Sequence, residues 1–371
     1  MRIGLNMLFL APGLTGGIET YARGLLHALD KEAPADYEFV VFLSRQAAAT
    51  FENLSARVTL HAVDARLEIR TRKNVYEQII LPWLVLKHKI DLLHSLAYTG
   101  PVLAPVPQVL TIPDLNFKFP GHAVRGMKRV ALNILSWAAA TRSRKIIAIS
   151  NFTKQEIQKY WPAIAIKTNV VHLGSEPAPA RRAGKSQARS GFLLFVGGGA
   201  HKNSAAAVRA YGQTNADLDW DLILVGRMDK ELARELSQMT LRKRERVKAV
   251  GFQSRMALDE LIFSAGCLLV PSRYEGFGLP VLEAQVRGIP VITSHAASLA
   301  EIAGEGALLF DPDKEEQLVG LMNQVASSNT LCDKLIERGY ENARRFSWSR
   351  TAKETIIIYG EVLRKEAHAL H

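Results

Sequence analysis

Short apolar runs recur along the whole chain, and segments with helical patterning separate them. In the first half these runs cover residues 2–10, 37–43, 90–95, 106–112 and 145–150, with helices expected at about 19–30, 74–88, 123–142 and 151–160. A second series covers residues 191–198, 220–226, 246–252, 267–272, 290–294 and 306–312. Strands that alternate with helices predict parallel sheets covered by helices on both faces. The fold class is therefore α/β and doubly wound, and the alternation of strands and helices begins again in the second half of the chain.

The two series predict two domains, which suits a chain of 371 residues, because a single hydrophobic core rarely grows beyond roughly 250–300 residues. Residues 175–190 are rich in Pro, Gly, Ser and Arg and lack an apolar period, so we interpret them as a linker. We place the first domain at 1–174 and the second at 191–349. Helices are expected at about 313–345, and a final helix at about 350–371.

The net charge of +11 is unevenly distributed. Residues 1–174 carry an excess of nine positive charges, residues 175–190 of three, and residues 191–371 are nearly balanced. A basic first half suits an anionic lipid surface, a nucleic acid or a phosphorylated acceptor. Two basic clusters either line a membrane-facing surface or form solvated helix faces: Arg66, Arg70, Arg72 and Lys73, and Arg125, Lys128 and Arg129. No nucleic-acid-binding module is recognisable, so we expect no nucleic-acid partner.

Neither of the longest apolar runs, 74–86 and 131–140, reaches the roughly 20 residues that a bilayer-spanning helix needs. The N-terminal run is interrupted by Gly4 and Asn6 and is better interpreted as a buried strand than as a signal sequence. We expect a cytoplasmic protein, either free in the cytoplasm or peripheral at the inner face of the membrane. Cys267 and Cys332 form neither a disulfide framework nor a metal-binding spacing.

The segment SRYEGFGLPVLEAQ, residues 272–285, lies between two predicted strands of the second series. A right-handed β-α-β crossover is therefore expected here. Pro280 suits the first position of a short helix and Gly288 the position after its last residue, near Arg287. The helix N-terminus then lies at the carboxyl edge of the sheet, where backbone N–H groups bind anions. The N–H groups expected to point outward are those of Phe277, Gly278, Leu279 and Val281.

Glu275 and Glu283 lie on either side of this turn, eight positions apart. Carboxylates beside a bound diphosphate repel it, so hydroxyl groups of a ribose and a sugar are their natural partners. The alternative is a surface-turn glutamate and a glutamate favoured by the helix dipole. Gly276 and Gly278, which flank Phe277, favour the ligand-binding interpretation because glycine permits close approach of the backbone to a ligand.

The stretch EGFGLPVLEAQVRGIPVITS resembles the donor-binding signature of the retaining glycosyltransferases of family 4, in which two glutamates are separated by seven residues. The similarity is greatest to mannosyltransferases of surface polysaccharide or O-antigen assembly. It extends along nearly the whole chain through GGIETYARGLLHAL, VGGGAHKNSAAAVRAY, SLAEIAGEGALLFDPD and FSWSRTAKETIIIY.

This resemblance implies a GT-B fold, in which two Rossmann-like domains face each other across a cleft and the last helix crosses back to the first domain. It also implies transfer of a hexose with retention, in polysaccharide or lipopolysaccharide biosynthesis. The donor would be a nucleotide-sugar, with a GDP-sugar favoured, and the acceptor a glycan or lipid-linked glycan. The departing phosphate would accept the proton of the acceptor, which suits a chain with no obvious general base.

Carried onto this sequence, the resemblance gives Glu275 the hydroxyl groups of the donor sugar, Glu283 the ribose, and Lys202 the diphosphate, with Asn203 beside it. Backbone N–H groups around Gly16 and Gly17 and around residues 276–279 would add to the donor site. The family often has an arginine just ahead of Lys202, whereas this chain has Gly197, Gly198 and Gly199. A further cation is therefore needed from elsewhere.

Three other residues leave alternatives open. Where the family commonly has a His-Asp pair, this chain has Pro113 and Asp114, and Asp114 either orients the substrate or caps a turn. His94 either approaches the cleft or is a core histidine. Phe252 either flanks the nucleotide base or packs in the ordinary way.

Two Asp-x-Asp triplets, at 217–219 and 311–313, border predicted strands and are typical of turns, so we expect no metal and no other cofactor. The glycine triplet does not complete a dinucleotide-binding fingerprint, because Lys202 stands where the third glycine belongs. Two alternatives to the transferase remain: another GT-B enzyme, such as an epimerase or a glycoside phosphorylase, and a basic nucleic-acid-binding protein.

Overall fold

A computed structural model describes residues 1–63, 70–119, 126–176, 191–196 and 199–369. The chain divides into two compact units. Unit 1 comprises Met1–Phe117, Val124–Gly174 and Phe346–His371, and unit 2 comprises Lys118–Ala123 and Ser175–Arg345. Residues 177–190 of the predicted linker lie outside the described residues, as do Arg66, Arg125, Gly197 and Gly198.

Each unit contains one parallel sheet. The order in unit 1 is β3-β2-β1-β4-β5-β6-β7, and in unit 2 it is β10-β9-β8-β11-β12-β13. The strands of unit 1 are β1 Arg2–Asn6, β2 Glu38–Ser44, β3 Val58–Val63, β4 Leu92–Ser95, β5 Gln108–Ile112, β6 Lys145–Ala148 and β7 Thr168–Val170. Those of unit 2 are β8 Phe192–Val196, β9 Leu222–Gly226, β10 Val247–Gly251, β11 Cys267–Val270, β12 Val291–Ser294 and β13 Leu308–Phe310. The predicted pair of doubly wound α/β domains is confirmed.

Helices lie between most of the successive strands, and α14, α15 and α16 follow β13. The first seven are α1 Gly17–Glu32, α2 Arg45–Ala48, α3 Arg70–Val75, α4 Leu81–Lys87, α5 Met127–Arg142, α6 Asn151–Tyr160 and α7 Pro162–Ala165. A π-helical turn, Tyr76–Ile80, joins α3 to α4. The remainder are α8 Ser204–Gly212, α9 Lys230–Gln238, α10 Leu241–Glu245, α11 Arg255–Ser264, α12 Leu279–Val286, α13 Leu299–Ala303, α14 Glu315–Ser327, α15 Asn329–Ala343 and α16 Trp348–Ala369. None of the described helices is both long enough and apolar enough to cross a bilayer.

Helices cover both faces of the sheet in unit 1. Leu93 and Ser95 are two positions apart on β4, so their side chains point to the same face of the sheet. Ser95 pairs with Leu110 of β5, so Leu93 and Leu110 share that face. Leu93 packs with α4, and Leu110 packs with α5. Helices α4 and α5 therefore lie on the same face of the sheet. The opposite face carries α1 and α16, whose tyrosines Tyr21 and Tyr359 bond to Thr111 and His94.

The last helix belongs to unit 1 and packs against α1. Its first residue, Trp348, lies over Gly24 of α1, where a Cβ atom would collide with the indole ring. The helix is also held by an ion pair of 2.8 Å between Lys145 and Glu361. Helix α16 thus joins unit 1 as the resemblance implied, although it begins two residues before the predicted Arg350.

His94 is a core histidine. It is fully buried in β4, and its Nδ1 lies 2.6 Å from the hydroxyl of Tyr359 and its Nε2 2.8 Å from the hydroxyl of Thr111. Burial lowers the pKa of this imidazole to about 3. Of the two interpretations of His94, the structure therefore supports the satisfied core residue.

Candidate functional site

The strand order of unit 2 reverses direction between β8 and β11. The connection after β8 leads through α8 to β9 on one side, and the connection after β11 leads through α12 to β12 on the other. Loops that leave the carboxyl edge in opposite directions open a crevice, which is where sheets of this type bind ligands. Lys202 and Asn203 belong to the first of these loops, and residues 271–278 form the second.

Lys202 and Glu275 meet in this crevice. The Nζ of Lys202 lies 2.6 Å from the Oε1 of Glu275, and the hydroxyl of Ser272 donates to the same oxygen at 2.8 Å. The side chain of Lys202 is 33% exposed and that of Glu275 is 15% exposed. Two residues 73 positions apart, both predicted for the donor site, thus form one ion pair at the carboxyl edge of the sheet.

The loop that carries Glu275 is held by the hydroxyl of Ser298, which precedes α13. This hydroxyl lies 2.8 Å from the carbonyl oxygens of both Glu275 and Phe277. Backbone groups that are tied down in this way keep the carboxylate in a fixed position before any ligand arrives.

Helix α12 begins one residue earlier than predicted. It runs from Leu279, with Pro280 at its second position, and Gly288 follows its end with a φ of 63°. Gly278 precedes the helix with a φ of 104°, and a Cβ atom there would lie 2.8 Å from Leu299. This glycine is therefore required by the backbone and by packing. The N–H of Val281 donates to the carbonyl of Gly278 at 3.0 Å, so the expectation that it points outward is wrong.

The other predicted donor residues of this segment lie along the same loop and helix. Gly276 and Phe277 precede Gly278, and Leu279 is the first residue of α12. Glu283 is the fifth residue of the helix and is half-buried, and its carbonyl accepts a hydrogen bond of 2.8 Å from Arg287.

Two cavities open beside the crevice and share Gly199 and Asp229. The smaller, of about 230 Å³, is lined by residues that include Asn203, Ser204 and Arg273. The larger, of about 580 Å³, is lined by Val196, Gly199, Arg227, Met228, Asp229, Lys230 and Phe252. Phe252 is 83% exposed, so it does not pack as an ordinary core residue.

Arg227 is a residue that the sequence reasoning missed. It directly follows Gly226, the last residue of β9, and it is exposed in the cavity that Gly199 also lines. The sequence predicted a further cation from outside the loop ahead of Lys202 without identifying it, and Arg227 reaches this region from the neighbouring strand. The available signal was its position at the carboxyl end of a strand adjacent to β8.

The aspartate triplets have structural partners. Asp313 donates its N–H to the carboxylate of Asp311 at 3.0 Å, as in a turn, and its own carboxylate pairs with Arg273. Asp219 pairs with Arg246 at 2.6 Å. Among the described residues, no group of three or more His, Cys, Asp or Glu side chains is placed to hold a metal ion.

The remaining predicted residues belong to unit 1. Gly16 precedes α1 with a φ of 58°, and Gly17 is the first residue of the helix. A Cβ atom on Gly16 would meet nothing within 4 Å. Glu19 in the first turn already accepts the N–H of Gly13 at 2.9 Å. Asp114 accepts hydrogen bonds from the hydroxyl of Tyr98 at 2.8 Å and from the N–H of Asn116 at 2.9 Å. Capping of the turn is thus the role of Asp114 that these contacts support.

Comparison with known proteins gives the same assignment for both halves. Residues 15–178 match the family described as Glycosyltransferase Family 4, and residues 179–342 match the family described as Glycosyl transferases group 1. O-antigen chain mannosyltransferase B of Escherichia coli is 28% identical over 265 residues, which cover 68% of this chain and 67% of that protein.

Solved structures with similar folds include the sucrose-phosphate synthase of Thermosynechococcus elongatus. It has a TM-score of 0.76 and 20% identity and covers 98% of this chain and 100% of its own. HepE of Anabaena, in complex with UDP-glucose, has a TM-score of 0.66 and 17% identity and covers 97% of this chain and 100% of its own.

Two Rossmann-like units with parallel sheets, together with these neighbours, define a protein of the GT-B class. The chain belongs to glycosyltransferase family 4, and as an enzyme it is a hexosyltransferase. The resemblance deduced from the glutamate signature is confirmed.

Proposed function

We propose that this enzyme transfers a hexose, most simply mannose from a GDP-sugar, to a glycan or lipid-linked glycan during surface polysaccharide assembly. The observation that carries the proposal is the Lys202–Glu275 pair at the switch point of the sheet in unit 2. Support for mannose comes from the similarity to an O-antigen mannosyltransferase. HepE binds UDP-glucose, so UDP is the alternative nucleotide.

In the proposed reaction, the bond between the anomeric carbon and the diphosphate oxygen breaks, and the acceptor oxygen bonds to that carbon on the same face. The departing phosphate takes the proton of the acceptor hydroxyl. Glu275 holds hydroxyl groups of the donor sugar, and Glu283 holds the ribose. Negative charge accumulates on the diphosphate, and groups that are already oriented toward it stabilise the transition state.

Two cations serve the diphosphate in this proposal. An ammonium group has three N–H donors, so Lys202 can keep its bond to Glu275 while it donates to a phosphate oxygen. Arg227 supplies the second positive charge, in place of the arginine that the family often has ahead of Lys202. Asn203 lines the smaller cavity, and Phe252 lines the larger one, where its exposed ring offers a surface for the nucleotide base.

Substitution of the two glutamates tests these roles separately. Glu275→Ala is expected to lower kcat strongly and leave the affinity for GDP nearly unchanged, because its partners are on the sugar. Glu283→Ala is expected to weaken the binding of GDP itself. Steady-state kinetics and calorimetric titration with GDP and UDP measure both effects.

Glu305→Ala is a suitable control, because Glu305 belongs to the same unit and its side chain is 85% exposed. Wild-type rates and affinities in both glutamate variants would refute the assigned roles. A preference for UDP over GDP in the titration would refute the proposed donor while leaving the transfer reaction intact.

The proposed site needs no metal, because Lys202, Arg227 and backbone N–H groups provide the positive charge. We therefore expect the initial rate to be the same with and without EDTA. Loss of the rate in EDTA, followed by recovery on addition of Mg²⁺ or Mn²⁺, would contradict this assignment.

A further inference from the structure

Unit 1 exposes an unusual number of large apolar side chains on one face of its sheet. Helices α4 and α5 cover that face, as the packing of Leu93 and Leu110 shows. Both helices lie in connections between parallel strands, so both run antiparallel to the strands and parallel to each other. Their solvent sides therefore point in the same direction.

The segment that ends in α4 carries a continuous apolar stripe on its solvent side. Ile79, Trp83 and Leu86 are 65%, 57% and 61% exposed, at the three- and four-residue spacing of one helix face. Leu81, Leu84 and Val85 point the other way and are buried against the sheet. This segment is therefore apolar on both sides, which is unusual for a helix whose outer side faces only water.

Helix α5 repeats the pattern. Met127, Val130, Ile134 and Trp137 follow one another at intervals of three or four residues, and their exposure lies between 49% and 89%. The inner side of the helix is formed by buried residues such as Ala139 and Ala140. Each of the two helices thus presents a tryptophan together with aliphatic side chains.

The charged side chains that these two helical segments expose to solvent are all positive. Residues 70–89 contain a single acidic residue, Glu77, and residues 126–144 contain none. Glu77 is 2% exposed and accepts hydrogen bonds from Asn6 at 2.8 Å and Thr99 at 2.7 Å. The exposed cations include Arg72, Lys87, Lys89, Lys128 and Arg142. The Nζ of Lys87 lies 4.9 Å from the ring centroid of Trp83, so cation and aromatic ring share one surface.

We propose that this face of unit 1, formed by the solvent sides of Val75–Lys89 and Met127–Arg142, docks on the surface of an anionic lipid bilayer. Apolar side chains would enter the boundary between headgroups and acyl chains, and the lysines and arginines would meet the anionic headgroups. Tryptophan is favoured at that depth because its ring is apolar and its N–H is polar. A nucleic acid would complement the charge but would leave the apolar stripes unsatisfied.

Vesicle flotation of the full chain tests the proposal without any donor or acceptor. The wild-type protein is expected to float with vesicles of phosphatidylcholine and phosphatidylglycerol, and far less with phosphatidylcholine alone. Lys87→Glu combined with Lys128→Glu is expected to lower the partition coefficient by about tenfold or more. Trp83→Ser combined with Trp137→Ser is expected to lower it by a similar factor while the melting curve stays close to that of the wild type.

A matched pair of isoleucines provides the control. Ile134 is 55% exposed on α5 and Ile357 is 59% exposed on α16, which covers the other face of the same sheet. Ile134→Ser is expected to weaken flotation and Ile357→Ser to leave it unchanged. The proposal is overturned if the wild type does not float with anionic vesicles, or if both isoleucine variants lose binding equally.

Binding to duplex DNA that depends on Lys87 and Lys128, together with vesicle binding that does not depend on Trp83 and Trp137, would also overturn it. Because flotation needs no nucleotide, its failure would leave the proposed glycosyl transfer untouched.

Discussion

At the scale of single residues, the pairing of Lys202 with Glu275 explains how one site holds both a cation and a carboxylate. Each neutralises part of the charge of the other. The hydroxyl of Ser272 donates to the same Oε1 atom of Glu275 that Lys202 contacts, which fixes the carboxylate. A ligand that binds here meets groups that are already oriented, so little reorganisation remains for the transition state.

Removal of the cations is expected to slow the reaction. Lys202→Ala should cost roughly 2–4 kcal/mol of transition-state stabilisation if the lysine is the main partner of the diphosphate. Arg227→Ala should cost less, because Arg227 is exposed and water screens its charge. Measurements of kcat/KM for both single variants and the double variant would show whether the two cations act on one group, since effects on a shared partner are not additive.

Arg242→Ala serves as the control, because Arg242 lies on α10 in the same unit and outside the residues that line either cavity. An unaltered rate in Lys202→Ala would remove this lysine from the mechanism.

The glutamates and Lys202 were predictable because a local motif marks them. Their contact was not, because the 72 residues between Lys202 and Glu275 contain no pattern that fixes how closely two loops approach. Arg227 follows a strand in a segment without a motif, so only the strand order reveals that it reaches the same cavity as Gly199.

At the scale of elements, the start of α12 depends on the backbone conformation of Gly278. A φ of 104° is strained for any residue with a Cβ atom, and Leu299 fills the space that such an atom would need. Since this turn also carries Glu275, distortion of the helix start would displace the carboxylate.

Substitution of alanine at two glycines of unit 2 should therefore have opposite effects. Gly278→Ala is expected to lower the free energy of unfolding by about 1–3 kcal/mol. Gly320 lies inside α14, and a Cβ atom there meets nothing within 4 Å, so Gly320→Ala should raise it by about 0.5–1 kcal/mol. Chemical denaturation of both variants would measure the difference, and equal effects would refute the conformational argument.

Most strands were predictable because buried parallel strands form unbroken apolar runs. The prediction missed both edge strands of the unit 1 sheet, β3 and β7, whose residues are mostly exposed or half-buried. It also placed the end of β1 at residue 10 rather than at Asn6, because Met7, Leu8 and Leu10 are buried outside the strand. Apolar composition reports burial, and it cannot separate a strand from a buried turn.

At the scale of the whole molecule, the titration of His94 couples protonation to the stability of unit 1. The folded state keeps the imidazole neutral because burial lowers its pKa from 6.5 to about 3. The unfolded state therefore binds one more proton between these two values. The contribution to stability is complete above pH 6.5 and is lost progressively as the pH falls toward 3.

The free energy of unfolding of unit 1 should accordingly fall with decreasing pH, by up to about 1.4 kcal/mol per pH unit from this group. His61 and His88 add to the slope, because burial lowers the pKa of each. Hydrogen exchange of the β4 and β5 amides between pH 6.5 and 5 would measure it. His94→Gln should have a shallower slope, whereas Tyr359→Phe, which leaves the imidazole in place, should keep it. Equal slopes in all three proteins would refute the assignment.

Helix α16 imposes an order on the biosynthesis of the protein. The ribosome makes residues 348–369 after every strand of both sheets, yet these residues supply Tyr359 to His94 and Trp348 to the space above Gly24. The face of the unit 1 sheet that α1 and α16 share is consequently only partly covered for as long as unit 2 is being translated. Unit 2, whose residues are contiguous from Ser175 to Arg345 apart from one short segment, can complete its core first. During synthesis, the half of the chain that emerges first is the half that matures last.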